Sequence, residues 1–234
     1  MLETLRAEVL EANLEVVRRG LVLYTYGNAS AVSREHGLCV IKPSAVPYDR
    51  MTPADMVIAD LDGNVVEGSF KPSTDLATHL ALYRAFPAIG GIVHTHSRHA
   101  TAWAQAIREI PCFGTTQADC FHGAIPVTRP LSREEIEGDY EAGTGAAIVR
   151  RLQGLDPLSC PAVLVAGHAP FCWGKTVAQA ARHAVMVEEL AVMAWLTLAI
   201  NPAAVPISQA ELDKHHFQQH GPGATYGRQP LEGP

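Results

Sequence analysis

The chain has 234 residues, with 18 Lys+Arg against 24 Asp+Glu for a formal charge of −6, so it lacks the basic face that a nucleic-acid binder needs. Hydrophobic residues make up 47% and charged residues 18%, enough for a real core and unlike a disordered segment. No low-complexity linker divides the chain, so one domain over 1–219 is expected, followed by a Gly/Pro-rich tail over 220–234. The opening stretch carries Glu3, Arg6, Glu8 and Glu11 and has no secretory apolar core. The longest uncharged apolar run, Leu190 to Ile200, falls short of the ~20 residues of a membrane span. A cytoplasmic protein without a membrane partner is expected. The five cysteines (Cys39, Cys112, Cys120, Cys160, Cys172) are odd in number and lack CxxC spacing, which predicts buried thiols rather than disulfides or a thiolate metal site.

Along the chain, Leu2, Leu5, Val9, Ala12 and Val16 recur at helical steps, with Gly20 as a stop. Gly27-Asn28-Ala29-Ser30 is expected in a loop. Strands are predicted at Leu38 to Ile41, Met56 to Asp60, Gly91 to His94 and Ala162 to Val165. Asp62-Gly63 between Val57-Ile58 and Val65-Val66 marks a hairpin. A helix capped by Ser97 is expected to run to about Glu109. The capping pairs Ser132/Glu135, Thr176/Gln179 and Ser208/Glu211 place helix starts near 133, 177 and 209. Hairpins and helices alternate without a regular βα repeat, which predicts an α/β protein with a mostly antiparallel central sheet layered with helices.

Eleven histidines are present, and the informative pair is His94 and His96 at the end of a predicted strand. Alternate side chains of an extended chain share a face, so both imidazoles project together. HxH alone equally describes two hydrogen-bonded histidines. His168, after the strand Val163-Leu164-Val165 and Ala166-Gly167, supplies a third candidate, and three neutral nitrogens with one open position suit a catalytic zinc. His99, one turn into the next helix, reads as structural or as a support to the site. Gly27-Asn28, Lys42-Pro43-Ser44 and Ser73-Thr74-Asp75 offer backbone N–H groups, hydroxyls and an ammonium, the donors a phosphate monoester requires. Each alone also reads as an ordinary turn or N-cap. No GxxxxGK[ST] occurs, and Gly143-Thr144-Gly145 lacks the third glycine because position 148 is Ile, so any phosphate belongs to a small metabolite. Taken singly, Asp119 is a candidate acid/base or a turn residue, and Tyr226 a candidate acid/base or a surface packing residue.

The segments VLEANL at 9–14, GNASAV at 27–32, VIKPS at 40–44, KPSTD at 71–75, GGIVHTHSRHAT at 90–101, GTTQAD at 114–119 and LDKHHFQQHG at 212–221 together resemble the class II aldolase/epimerase family, from Met1 to about Gly227. The resemblance implies a three-layer α/β/α fold, a Zn²⁺ held by His94, His96 and His168 with Asp75 at the same centre, and a phosphate pocket of Gly27, Asn28, Lys42, Ser44, Ser73 and Thr74. Position 45 belongs to that pocket too, and here Ala45 replaces the family's usual Gly. It also implies acid/base roles for Asp119 and Tyr226, the tyrosine arriving from a neighbouring subunit of a homotetramer. The family's aldolases place Glu where this chain has Asp75, and its epimerases place Asp. The resemblance therefore implies C4 epimerisation of a pentulose 5-phosphate, between L-ribulose and D-xylulose 5-phosphate, by retro-aldol cleavage of C3–C4 and re-addition. The alternatives are a fuculose-phosphate type of aldolase and a non-catalytic sugar-phosphate-binding module.

Overall fold

The computed structural model describes residues 2–221 and Ala224. Its strands are β1 (Asn28–Ser33), β2 (Leu38–Ile41), β3 (Val57–Asp60), β4 (Val65–Glu67), β5 (Gly91–His94), β6 (Ala162–Leu164) and β7 (Pro170–Gly174). They form one sheet in the order β4-β3-β2-β1-β5-β7-β6, and every pair of neighbouring strands is antiparallel. The helices are α1 (Glu3–Arg18), α2 (Leu76–Ala85), α3 (Arg98–Gln105), α4 (Thr115–Ala118), α5 (Arg133–Glu137), α6 (Tyr140–Arg151), α7 (Val177–Ile200) and α8 (Gln209–His220).

The period-two alternation of the strands sorts the core into two layers. Ala29, Ala31, Val40, Ile58, Val93 and Cys172 join residues of α1, α3 and α7 on one face. Val32, Cys39, Val57, Ile92, Phe171 and Trp173 join α2 and α6 on the other. The outcome is the expected α/β/α sandwich. Full burial of a side chain such as Phe171 contributes about 1.5–3 kcal/mol, so both faces of each central strand stabilise the fold.

Several expectations need correction. Asn28 to Ser30 is not a loop: it opens β1, the strand between β2 and β5. Its small residues hid it, because a strand covered on both faces needs no polar-apolar alternation. β7, bounded by Pro170 and Gly174, was also missed. The helix after His96 ends at Gln105 rather than near Glu109, and Ile107 adopts a left-handed φ of 53° that turns the chain out of it. Ser97 occupies the N-cap without a capping bond from its side chain; the Glu188 carboxylate instead accepts from the N–H groups of His99 (2.9 Å) and Ala100 (2.9 Å). The strands predicted from Met56 and to Val165 are each one residue shorter. The expected helix starts at 133, 177 and 209 and the Asp62-Gly63 hairpin are present.

α7 is 24 residues long and, by length and composition alone, apolar enough to cross a membrane. Arg182, His183, Glu188 and Glu189 interrupt its sequence, so the uncharged apolar run begins only at Leu190. One stripe of this helix, from Val177 through Ala184 to Ala194, is buried in the core. That stripe faces the sheet and α1.

Candidate functional site

The site grows from the end of β5. His94 lies on the same sheet face as Ile92, is 1% exposed, and stacks on Phe171 with ring centroids 4.1 Å apart. Its Nδ1 is 2.9 Å from the Pro170 carbonyl, which only accepts, so Nδ1 carries the proton and Nε2 presents a lone pair. His96, two residues on, brings its Nε2 to 3.1 Å from that of His94. His168, in the turn from β6 to β7, brings its Nε2 to 3.3 Å from that of His96. The three ligand atoms lie within 4.8 Å of one another. A tetrahedral zinc with bonds of about 2.0–2.1 Å sets its nitrogens roughly 3.3 Å apart, so two of these separations already fit a shared divalent ion.

Burial lowers the pKa of all three imidazoles, opposed at each by the charge of Asp75; His168, with His94 adding to the effect of burial, is pushed down to about 4. Neutral nitrogens are what a metal requires. Asp75, at the N-cap of α2, places Oδ2 4.0 Å from His94 Nε2 and accepts a 2.6 Å bond from Asn28 Nδ2. Burial pushes its carboxyl up, but the nearby histidines and the Asn28 bond outweigh this and hold it below its usual value. Beneath it, Ser30 Oγ bridges His79 Nδ1 (2.6 Å) and Tyr83 Oη (2.8 Å). Burial pushes His79 down to about 3, which keeps it neutral.

The donor-rich segments converge beside this centre. Ser44 N–H donates to the Lys71 carbonyl and Ser73 N–H to the Lys42 carbonyl, both at 2.9 Å, so the two Lys-Pro-Ser stretches are tied side by side. Those backbone donors, expected for a phosphate, are taken up by the fold. Lys42 is 2% exposed, its Nζ 4.8 Å from the Tyr48 ring centre and within 3.2 Å of the Pro43 carbonyl and 3.4 Å of the Thr25 carbonyl. No carboxylate among the described residues pairs with it, and burial pushes its ammonium down to about 8. Thr74 is exposed, and Ser73 is buried. Gly27 has φ 84°, and a Cβ there would lie 2.9 Å from the His94 carbonyl, so glycine alone lets this turn press against β5. Ala45 keeps the left-handed backbone of a glycine, φ 59°.

Asp119 is held by different elements from the imidazole cluster. It follows the four-residue α4, its N–H donates to the Thr115 carbonyl at 2.8 Å, and its side chain and carbonyl meet α8: His215 Nδ1 lies 3.1 Å from Oδ1, and His220 Nε2 lies 2.8 Å from the carbonyl. Tyr226 lies outside the described residues. His99 pairs with Glu188 at 2.7 Å, which accords with a structural role. The sequence reading missed Tyr48 beneath Lys42, the His79–Ser30–Tyr83 relay, and Tyr140, whose Oη is 3.3 Å from His168 Nδ1. The (i, i+4) spacing of Asp75 and His79 along a helix was a signal for the relay; nothing local marks the tyrosines.

The fold and these motifs agree with comparisons to other proteins. Residues 7–195 match the family described as Class II Aldolase and Adducin N-terminal domain. The chain is 52% identical over 227 residues to the L-ribulose-5-phosphate 4-epimerase UlaF of Salmonella paratyphi C, covering 97% of this chain and all of that protein. The Salmonella typhi protein of the same name is equally similar. Among solved structures, an L-fuculose 1-phosphate aldolase superposes with TM-score 0.79 at 24% identity, covering 92% of this chain and 95% of its own. YgbL from Klebsiella pneumoniae, a putative aldolase/epimerase/decarboxylase, superposes with TM-score 0.70 at 24% identity, over 92% of this chain and 100% of its own. The chain belongs to the class II aldolase family.

Proposed function

We propose that the protein is a metal-dependent L-ribulose-5-phosphate 4-epimerase that interconverts L-ribulose 5-phosphate and D-xylulose 5-phosphate by breaking and re-forming C3–C4. The observation that carries this reading is the convergence of His94, His96 and His168 beside Asp75, in a chain 52% identical to proteins named for that activity. These three imidazoles would hold zinc, with Asp75 close to the same centre. Bound there, the ion supplies Lewis-acid stabilisation of the negative charge that develops on the ketose oxygens as the bond breaks.

The chain's own residues do the rest. The Lys42 ammonium, poorly solvated and without a carboxylate partner among the described residues, gains most from a phosphate dianion, and the Ser44, Ser73 and Thr74 hydroxyls complete the cradle. The backbone at Gly27 and Ala45 shapes its walls. Asn28 fixes the Asp75 carboxylate through Nδ2, and its buried Oδ1 has no partner among the described residues. Holding the phosphate keeps the two-carbon aldehyde fragment in place while it presents its other face. Inversion at C4 needs one group to take the hydroxyl proton on one face and a second to return a proton on the other. Asp119 Oδ and the Tyr226 hydroxyl fill these roles, the tyrosine crossing from a neighbouring subunit of a homotetramer. The exposed apolar side chains Met193, Trp195, Leu196 and Ile200 at the end of α7 support such an assembly. A cytoplasmic location is part of the same reading. An assay that feeds L-ribulose 5-phosphate and detects D-xylulose 5-phosphate tests it, and release of free aldehyde instead would favour an aldolase.

A further inference from the structure

The three imidazoles differ in what stands behind them. His94 Nδ1 faces a carbonyl, His96 lies against the Tyr26 ring with centroids 5.7 Å apart, and His168 Nδ1 faces the Tyr140 hydroxyl at 3.3 Å. A carbonyl permits one tautomer only. A hydroxyl permits two: it accepts from Nδ1–H and leaves the Nε2 lone pair facing His96, or it donates to Nδ1 and leaves Nε2 protonated.

The packing of α6 sets where this hydroxyl lies. Asp139 starts the helix by accepting from the Ala142 N–H at 2.9 Å, so Tyr140 is its first residue. Thr78 Oγ1 on α2 donates to the Glu141 carbonyl at 2.7 Å. One turn along, a Cβ on Gly145 would come within 2.6 Å of Ala81 Cβ, so α2 and α6 touch with no slack. Both Tyr140 and His168 are half-buried, and the ring centroids are 6.0 Å apart.

We infer that Tyr140 is a positioning residue for the metal centre: its oxygen accepts from His168 Nδ1–H and keeps the Nε2 lone pair directed at the ion. This rests on the reading of the three histidines as metal ligands. Loss of a partner behind a ligating histidine weakens metal binding by roughly 10–100-fold. Tyr140→Phe keeps the ring and removes only the oxygen. In competition with a chelator for zinc, the variant should bind about 10–100-fold more weakly than the parent. In ¹⁵N histidine spectra of the metal-free protein, His168 should lose its single Nδ1–H tautomer while His94 keeps its own. Unchanged zinc affinity overturns the inference, and so does weaker binding with an unchanged His168 tautomer. His96→Asn separates the two readings: if it binds zinc as well as the parent, or the parent binds none, the metal site itself is wrong and this inference falls with it. Weakened binding in His96→Asn but parental behaviour in Tyr140→Phe overturns the Tyr140 role alone.

Discussion

The imidazole cluster and the surroundings of Asp119 are built by opposite means. The first is carried by strand ends and a strand turn: His94 is fixed by a backbone carbonyl and a stacked phenylalanine, and only 1% of it is exposed. The second is a helix-end arrangement in which side chains hold side chains. Asp119 meets His215 at 3.1 Å with their side chains 37% and 32% exposed, and His122 meets Asp213 at 2.7 Å at 31% and 41% exposure. Exposed pairs of this kind contribute little to stability. The proposed metal ligand set needs geometry that does not move, and the strands supply it. Asp119, the proposed proton-transfer group, is held instead by two histidines of α8.

The largest effect should come from the rigid side. His96→Asn removes one of three convergent nitrogens and should lower turnover by roughly three orders of magnitude or more, the scale of several kcal/mol of charge stabilisation. Metal analysis of the pure parent protein should find about one ion per chain, as a single three-histidine site holds. A parent that turns over fully without metal would show that the cluster is only a packing motif.

The Asp119 side should respond less severely. Tyr226→Phe is expected to slow epimerisation by roughly two or more orders of magnitude, the usual worth of a positioned proton donor, while zinc binding is unchanged. Mixing it with Asp119→Asn sharpens the contrast. If the two groups come from different subunits, exchange rebuilds some intact sites and activity returns. No recovery after verified exchange places both in one subunit or removes Tyr226 from the chemistry.

The two regions were also unequally legible in the sequence. His94 and His96 could be read because alternate residues of an extended chain share a face, although β5 ends at His94 and His96 follows it by two residues. The capping pairs of α5, α7 and α8 could be read because their signal is local. β1 could not, since its burial depends on helices from distant parts of the chain. The Glu188 cap of α3 comes from a residue 88 and 89 positions away from the N–H groups it serves, and Tyr140 reaches His168 only because α6 docks on α2. Asp119 could be singled out, but the histidines around it arrive from α8 and no spacing rule joins them.

At Lys42, function and stability oppose each other. Lys42→Met should weaken the phosphorylated sugar relative to its unphosphorylated form by about 1.5–3 kcal/mol, the worth of a hydrogen bond to a charged group. The same change should stabilise the fold. An ammonium lowered from 10.5 to about 8 by burial is charged at a cost below pH 8, and that cost fades as pH rises from about 8 towards 10.5. Lys42→Met at pH 7 should therefore gain on the order of 1–3 kcal/mol in denaturant unfolding, with the advantage shrinking above pH 8. A variant less stable than the parent at pH 7 would mean that the ammonium is paired in solution.

The smallest effect is expected at Ala45. Its φ of 59° places a Cβ where the left-handed backbone costs about 1–2 kcal/mol, and glycine would relieve that at an unfolded-state cost of roughly 0.4–1 kcal/mol. Ala45→Gly should then add about 0.5–1 kcal/mol of stability, a rise in Tm of roughly 1–4 °C for a chain of this size. The loop already follows the course a glycine would give it, and the Ser44 N–H is bound to the Lys71 carbonyl at 2.9 Å. KM for the sugar phosphate should therefore stay close to the parent value. A large fall in KM would show instead that the Ala45 methyl crowds the phosphate, and that this residue trims affinity at the rim of an otherwise fixed cradle.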